Sequence, residues 1–388
     1  MSNTPPAANP PRRLLVRGVN WLGDAVLSTP ALLRLRERFP AARISVLAPA
    51  KLADLWRHHP AVDAVMTFQP DDTLLRTARR LRRETFEVAL AFPNSIRSAL
   101  ELWLARIPER YGTALGARRF LLTHPIPPRP AHGGMRKRTP AEIRRLLAAG
   151  PGATAVPEGA ALAGAHHVHQ YLHLVAALGA DPQPVAPRLE VTPEEVAAAL
   201  GRLGLDSGGS AAIPLLGLNP GAEYGPAKRW PASRFVAAAV AVQQRERCRW
   251  LVLGGAADRD LAEQVTAGIR ASAGGDAVAL AGRTSLRELM AVVRACRVLL
   301  TNDTGPMHVA AALGTPVVAL FGSTSPELTG PSVPGVVSRS CSMVLREPVP
   351  CAPCFLRQCP VDLDCLMRLS PETVAEAVLV ACRGNGSR

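Results

Sequence analysis

At 388 residues the chain is too long for one ordinary hydrophobic core and suits two α/β domains. Apolar residues make up 48% of it and aromatics only 4%, a balance that excludes wholesale disorder and favours alternating helices and buried parallel strands over a β-sandwich. The formal charge of +14 predicts attraction to polyanions such as nucleic acid, an anionic membrane face or a phosphorylated glycolipid, and does not by itself choose among them.

Residues 1–11 are polar and proline-rich and read as a flexible tail. They contain no apolar stretch of the signal-peptide kind, and no apolar run of membrane-spanning length follows, so the expected location is the cytoplasm. Residues 13–20 read as a buried strand, 24–38 as a helix and 43–47 as a second strand, which together make a βαβ unit. Strands at 64–68 and 88–91 alternate with a basic helix at 73–84 and a helix at 95–105, as a doubly wound sheet requires. The Ala, Gly and Pro run at 150–165 reads as a surface loop or insertion. A helix at 168–178 leads into DPQPVAPRLE, residues 181–190, whose three prolines favour an extended interdomain linker. Strands at 215–218, 250–254, 277–280, 298–301 and 317–321, interleaved with helices at 233–245, 258–270 and 285–296, predict a second Rossmann-like sheet. The expected boundaries are therefore a first domain over 12–185, a second over 186–369, and a closing helical segment over 370–388 that packs back toward the first domain.

Three segments carry chemistry. In TNDTGPMHVAAALGTPVVALFGSTSPELTGP, from Thr301, a strand turns directly into a helix: Thr304 suits the N-cap and Pro306 the first turn. The unpaired N–H groups around Thr304, Gly305 and Met307 make an anion site there, and Gly305 lets a phosphate come close to the backbone. In GLNPGAEYGPAKRWP, from Gly217, the pair Lys228 and Arg229 follows a glycine-rich turn. A diphosphate leaving group gains charge as its glycosidic bond breaks, so a cation such as Lys228 held beside it acts more strongly in the transition state than in the ground state. In RGVNWLGDAVLSTPALLRLRERFP, from Arg17, Asp24 opens a helix after a strand, outside the strand ends where open sheets bind ligands. A carboxylate there can take the proton of an attacking hydroxyl, although aspartate in a first helical turn is common for dipole reasons alone.

Together these segments resemble glycosyltransferase family 9, the ADP-heptose transferases of lipopolysaccharide core assembly. The resemblance rests on NWLGDAVLSTP, PGAEYGPAKRWP, NDTGPMHVAAALGTPVVALFGSTSP and PCFLRQCPVDLDCL, in that order along most of the chain. The AKRWP block and the cysteine-rich tail resemble the type II members rather than type I. The resemblance implies a GT-B fold, two Rossmann-like domains facing each other across a cleft, with the acceptor mainly on the first and ADP-heptose on the second. It implies inversion at the anomeric carbon with Asp24 as base and Lys228 supporting the diphosphate, and no metal or other cofactor. Thr304, Gly305, Met307, His308, Arg229, Asp258 and Asp303 are the donor-binding candidates, Asp258 near the ribose and Asp303 facing the sugar or acceptor. Asn20, Arg110, Arg118 and Arg119 are the acceptor-binding candidates. The implied partners are ADP-heptose and a heptosyl-Kdo2-lipid A acceptor, met by peripheral electrostatic contact at the cytoplasmic face of the inner membrane.

Cys351, Cys354, Cys359 and Cys365 have a spacing able to set four thiolates around zinc, but the second pair is spread over a wide loop, and a structural or redox role is the favoured reading. His166, His167, His169 and His173 lack an obvious acidic ligand nearby and read as a surface or interdomain cluster. Arg136, Lys137 and Arg138 join the arginines expected to hold acceptor phosphates. The competing readings are a type I or other family 9 transferase with a different acceptor, a non-catalytic nucleotide-sugar sensor, and a nucleic-acid-binding protein. Against the last, the arginines are dispersed and no recognition motif is present.

Overall fold

The computed structural model describes residues 10–129, 135–150, 164–205, 213–272 and 274–383. The expected tail at 1–11 and the loop at 150–165 fall almost entirely outside the described residues. What is described divides into two compact units, one drawn from Met1–Ala131 and His167–Glu190, the other from His132–His166 and Val191–Arg388.

Unit 1 is built on a parallel sheet of β1 (Arg13–Arg17), β2 (Arg43–Pro49), β3 (Ala64–Phe68), β4 (Val88–Ala91), β5 (Glu109–Thr113) and β6 (His124–Ile126), in the order β3-β2-β1-β4-β5-β6. Its central strands are continuous apolar runs because helices cover both faces; Leu14, Leu15, Val16, Leu90 and Ala91 are fully buried. Thr73 and Ser95 cap the helices Leu74–Arg83 and Ile96–Leu104 by accepting from the amides of Arg76 and Ser98. The helix predicted over 24–38 is instead two, Leu22–Leu27 and Thr29–Arg38. Pro30 has no N–H to continue the first ladder, and the Ser28 and Thr29 hydroxyls turn back onto the carbonyls of Ala25 and Val26.

Unit 2 repeats the plan with β7 (Leu215–Asn219), β8 (Arg249–Val252), β9 (Ala277–Ala279), β10 (Leu299–Asn302), β11 (Val317–Phe321) and β12 (Ser342–Arg346), in the order β12-β11-β10-β7-β8-β9. Each sheet runs outward in both directions from a central pair, β1 and β4 in the first, β7 and β10 in the second. The strand order reverses between those two strands, and the crevice beyond their carboxyl ends is where such sheets take ligands.

The structure corrects two expected placements. The helix Pro140–Ala148 and residues 136–138 lie inside the range expected for the first domain, yet they group with unit 2, where Ile143 is buried in the core with Leu218 and Trp250. The closing helix Pro371–Arg383 was expected to pack toward the first domain; its apolar stripe, with Val374, Val378 and Leu379, is buried in the core of unit 2. Among the described residues, no helix is long and apolar enough to cross a membrane.

Candidate active site

In unit 2 the loops after β7 and β10 meet at the reversal point. Asn302, fully buried at the end of β10, accepts the backbone N–H of Trp230 at 3.0 Å and donates to Pro220 O at 2.8 Å. This one amide ties the loop of residues 220–231 to the loop that follows β10. Lys228, in the short turn Pro226–Lys228, donates through Nζ to Asp303 Oδ2 at 2.6 Å, and Thr324 Oγ1 donates to the same oxygen at 2.6 Å. The side chains of Asp303 and Lys228 are only 4% and 14% exposed, so a desolvated carboxylate holds the ammonium in place. Asp303, expected to face sugar or acceptor, is instead bound to Lys228 and Thr324.

The turn itself is shaped by close packing. A Cβ on Gly225, whose φ is 154°, would lie 2.5 Å from Arg357 O. That carbonyl accepts from Ala227 N–H at 3.0 Å. Tyr224, whose hydroxyl donates to Phe355 O at 2.8 Å, has Lys228 Nζ 5.1 Å and the Arg357 guanidinium 5.3 Å from its ring centre. Neither Tyr224, Arg357 nor Thr324 was singled out from sequence, since only the fold brings them to Lys228. Asp258 caps its own turn by accepting from Gly255 N–H at 3.1 Å and lies 3.8 Å from Arg229. A Cβ on Gly221 would come within 2.5 Å of its Oδ1, so the loops after β7 and β8 meet there.

The helix Gly305–Leu313 starts where predicted, with Thr304 as N-cap in extended conformation and Pro306 in the first turn. Two details differ from expectation. The Thr304 side chain makes no capping hydrogen bond, and Met307 N–H is already bonded to Thr304 O at 3.1 Å, which removes Met307 from the free anion-binding amides. His308 is buried in the same helix.

In unit 1, Asp24 lies in the first turn of the helix Leu22–Leu27, beyond the carboxyl end of β1. Its Oδ1 is 3.9 Å from His167 Nδ1, and the His167 ring stacks on Tyr171 with centres 5.3 Å apart. Burial lowers the His167 pKa against the pull of Asp24, so its imidazole stays neutral near pH 7; burial, and then Asp24, push the Tyr171 phenol well above its ordinary value. This histidine, read from sequence as part of a surface or interdomain cluster, borders the candidate base, 143 positions away in the chain and invisible to local pattern. Asn20 accepts from Arg17 Nη1 at 3.1 Å, and Arg17 is itself locked by a fully buried Glu101 at 3.0 Å.

The acceptor arginines separate. Arg118 is 1% exposed and donates to Thr113 O and Pro93 O; it clamps the loop after β4 and offers nothing to an acceptor. Arg110 spends its guanidinium on the carbonyls of Leu121 and Ile107. Arg119 alone of the three is exposed, beside the exposed Phe120. Arg136 pairs with Glu142, and Arg138 donates to Pro350 O in unit 2. Cys351, Cys354, Cys359 and Cys365 are free thiols that line one pocket. Burial raises three of them, Cys365 to about 12. Among the described residues no three His, Cys, Asp or Glu side chains are assembled to hold a metal. His166 meets Gly330 O and His173 meets Pro127 O, which disperses the histidine cluster.

Comparison with known proteins bears on the chemistry. The family model described as glycosyltransferase family 9 (heptosyltransferase) matches residues 158–363. The chain is 32% identical to lipopolysaccharide heptosyltransferase 2 of Salmonella typhimurium, covering 82% of this chain and 85% of that one. It is 29% identical to lipooligosaccharide heptosyltransferase 2 of Haemophilus ducreyi, over 82% and 86%. Among solved structures, the E. coli ADP-heptose lipopolysaccharide heptosyltransferase II superposes with a TM-score of 0.74 at 26% identity, covering 97% of this chain and all of that one.

Proposed function

The chain belongs to glycosyltransferase family 9, and from that premise we propose that it adds the second heptose of the lipopolysaccharide inner core, from ADP-heptose onto heptosyl-Kdo2-lipid A. It is a glycosyltransferase of GT-B type, and heptose transfer in the inner core is its activity. The second-heptose reading is supported by the likeness to proteins named heptosyltransferase 2, and the observation that supports the chemistry is the Lys228, Asp303 and Thr324 cluster at the reversal point of the second sheet. It holds an ammonium, pre-oriented and largely desolvated, at the mouth of a helix N-terminus able to take phosphate.

In this reading unit 2 binds the donor. Arg229 and Asp258 lie toward the ribose, the amides of Thr304 and Gly305 cradle the diphosphate, and Lys228 meets the charge that builds on it as the anomeric carbon–oxygen bond breaks. Unit 1 supplies Asp24, whose carboxylate takes the proton of the acceptor hydroxyl while that oxygen forms the new bond, inverting the anomeric centre. ADP leaves with the electron pair. His167 borders Asp24, its Nδ1 3.9 Å from Oδ1, and leaves the carboxylate available to the acceptor hydroxyl. Asn20, fixed by Arg17, and exposed Arg119 are the acceptor contacts that remain after Arg110 and Arg118 are removed. The chemistry needs no metal, since the cations and amides of the site meet the developing charge. The acceptor is borne on a membrane, so the enzyme works at the cytoplasmic face of the inner membrane through electrostatic contact that high salt releases.

The test is transfer from ADP-heptose to Kdo2-lipid A and to heptosyl-Kdo2-lipid A, with wild type and Asp24→Asn. Transfer to the heptose-bearing acceptor alone, lost in the variant, supports the reading; transfer to Kdo2-lipid A assigns the chain to the first heptose instead.

A further inference from the structure

A groove on unit 1 carries chemistry that the transfer reaction does not use. It runs between the helix Leu74–Arg83 and the end of the helix Ile96–Leu104, lined by Leu75, Arg79, Arg82, Trp103, Arg106 and Arg110 among others. Leu75, Arg79 and Arg82 recur at spacings of four and three, so one helical face presents them together. Leu75 is 55% exposed and Trp103 47%. Arg79, Arg82 and Arg106 are exposed as well, and their guanidinium groups make no hydrogen bond or ion pair among the described residues. Cations gathered without counter-charges repel one another, and an anionic partner removes that cost.

Arg106 adds an independent sign. The helix Ile96–Leu104 closes with Arg106 N–H on Trp103 O and Ile107 N–H on Leu102 O, a pattern whose left-handed position glycine usually takes. Here an arginine occupies it at φ 58°, in a conformation strained for any side chain with a Cβ. The groove is also remote from Asp24 within unit 1. Pro108 and Arg110 lie at the start of β5, whereas Asp24 follows the far end of the parallel β1. Glu109, the first residue of β5, is level with Leu14, so at about 3.3 Å per residue the end of β1 at Arg17 lies roughly 10 Å farther along the strands.

We propose that this groove docks unit 1 on an anionic phospholipid bilayer, with Arg79, Arg82 and Arg106 against the phosphates and Leu75 and Trp103 in the interfacial layer. Exposed tryptophan and leucine between arginines fit a lipid interface better than a freely dissolved phosphate, which needs no apolar contact. The inference rests on the reading of a membrane-borne acceptor and names the surface that meets the membrane.

The experiment is co-sedimentation of the full chain with vesicles of phosphatidylcholine, with and without phosphatidylglycerol. Transfer to a deacylated, water-soluble acceptor is measured in parallel. Wild type binds the anionic vesicles at low salt and not the neutral ones. Arg79→Ala and Arg82→Ala each weaken partitioning about fivefold, and Trp103→Ser weakens it further, with transfer to the soluble acceptor unchanged. Arg106→Gly separates docking from folding, because it relieves the left-handed strain and so raises the melting temperature while it lowers vesicle binding. Vesicle binding that is equal for wild type and all four variants, or equal for neutral and anionic vesicles, overturns the proposal. So does competition of inorganic phosphate alone for the groove, with vesicle binding unaffected. Wild type that binds vesicles through the groove but transfers no heptose contradicts the functional reading and leaves the docking surface standing.

Discussion

Replacing Asp303 with alanine removes the carboxylate partner of Lys228 and the acceptor of the Thr324 hydroxyl, both at 2.6 Å. With the two charged side chains 4% and 14% exposed, the variant leaves an ammonium largely desolvated and uncompensated. Breaking one side of such a pair destabilises by about 3–5 kcal/mol. At roughly 2–4 °C per kcal/mol for a domain of this size, the melting temperature falls by roughly 6–20 °C. Lys228→Met strands the carboxylate in the same way. The double variant leaves neither charge buried, so its loss is smaller than the sum of the two, with a coupling of about 1–3 kcal/mol. Thermal and urea unfolding of the wild type, both singles and the double complete the cycle. Single losses that add within about 0.5 kcal/mol would show two independent groups, with Lys228 not pre-oriented by Asp303.

Asp24→Asn keeps the shape of the site but cannot take a proton, so kcat falls by about 10²–10⁴ with ADP-heptose affinity retained, as steady-state kinetics and calorimetry read. Gly221→Ala drives a Cβ to within 2.5 Å of Asp258 Oδ1; it displaces that carboxylate, lowers stability by about 1–3 kcal/mol and weakens ADP binding in a direct titration. His59 is 3% exposed, and burial, with Arg188 close by, lowers its pKa from 6.5 to about 4. Between those values the unfolded chain binds a proton that the folded one refuses, so this contribution is intact above pH 6.5 and declines by about 3 kcal/mol as the pH falls toward 4. Unfolding measured at several pH values shows a shallower acid slope in His59→Gln than in wild type; identical slopes would mean His59 protonates freely in the fold.

Nine of the twelve strands are legible from simple periodicity, most plainly where a strand is an apolar run. β1, β4, β7, β10 and β11 are of that kind, buried on both faces. The strands that escaped were β5, β6 and β12, ERYGT, HPI and SMVLR. Each mixes polar with apolar residues, and β6 and β12 are edges that need not be apolar throughout. The residues with local signatures, Asp24, Lys228, Thr304 and Gly305, stand at strand-to-helix turns, where spacing alone locates them. His167, Tyr224, Thr324 and Arg357 reach the site only through the fold. The arginines are the hardest to read for a related reason: a guanidinium that clamps the carbonyls of Thr113 and Pro93, as in Arg118, and one that makes no such contact, as in Arg79, look alike in sequence. Only burial and partner atoms distinguish them.

The chain is proposed to place the second inner-core heptose with Asp24 as base. The most direct test is the rate of heptose transfer from ADP-heptose to heptosyl-Kdo2-lipid A, compared with Kdo2-lipid A, for wild type and Asp24→Asn. Turnover is expected on the heptose-bearing acceptor only, reduced at least about a hundredfold by the substitution, in line with the usual contribution of a positioned base. Equal turnover on both acceptors, or an Asp24→Asn enzyme as fast as wild type, would contradict it.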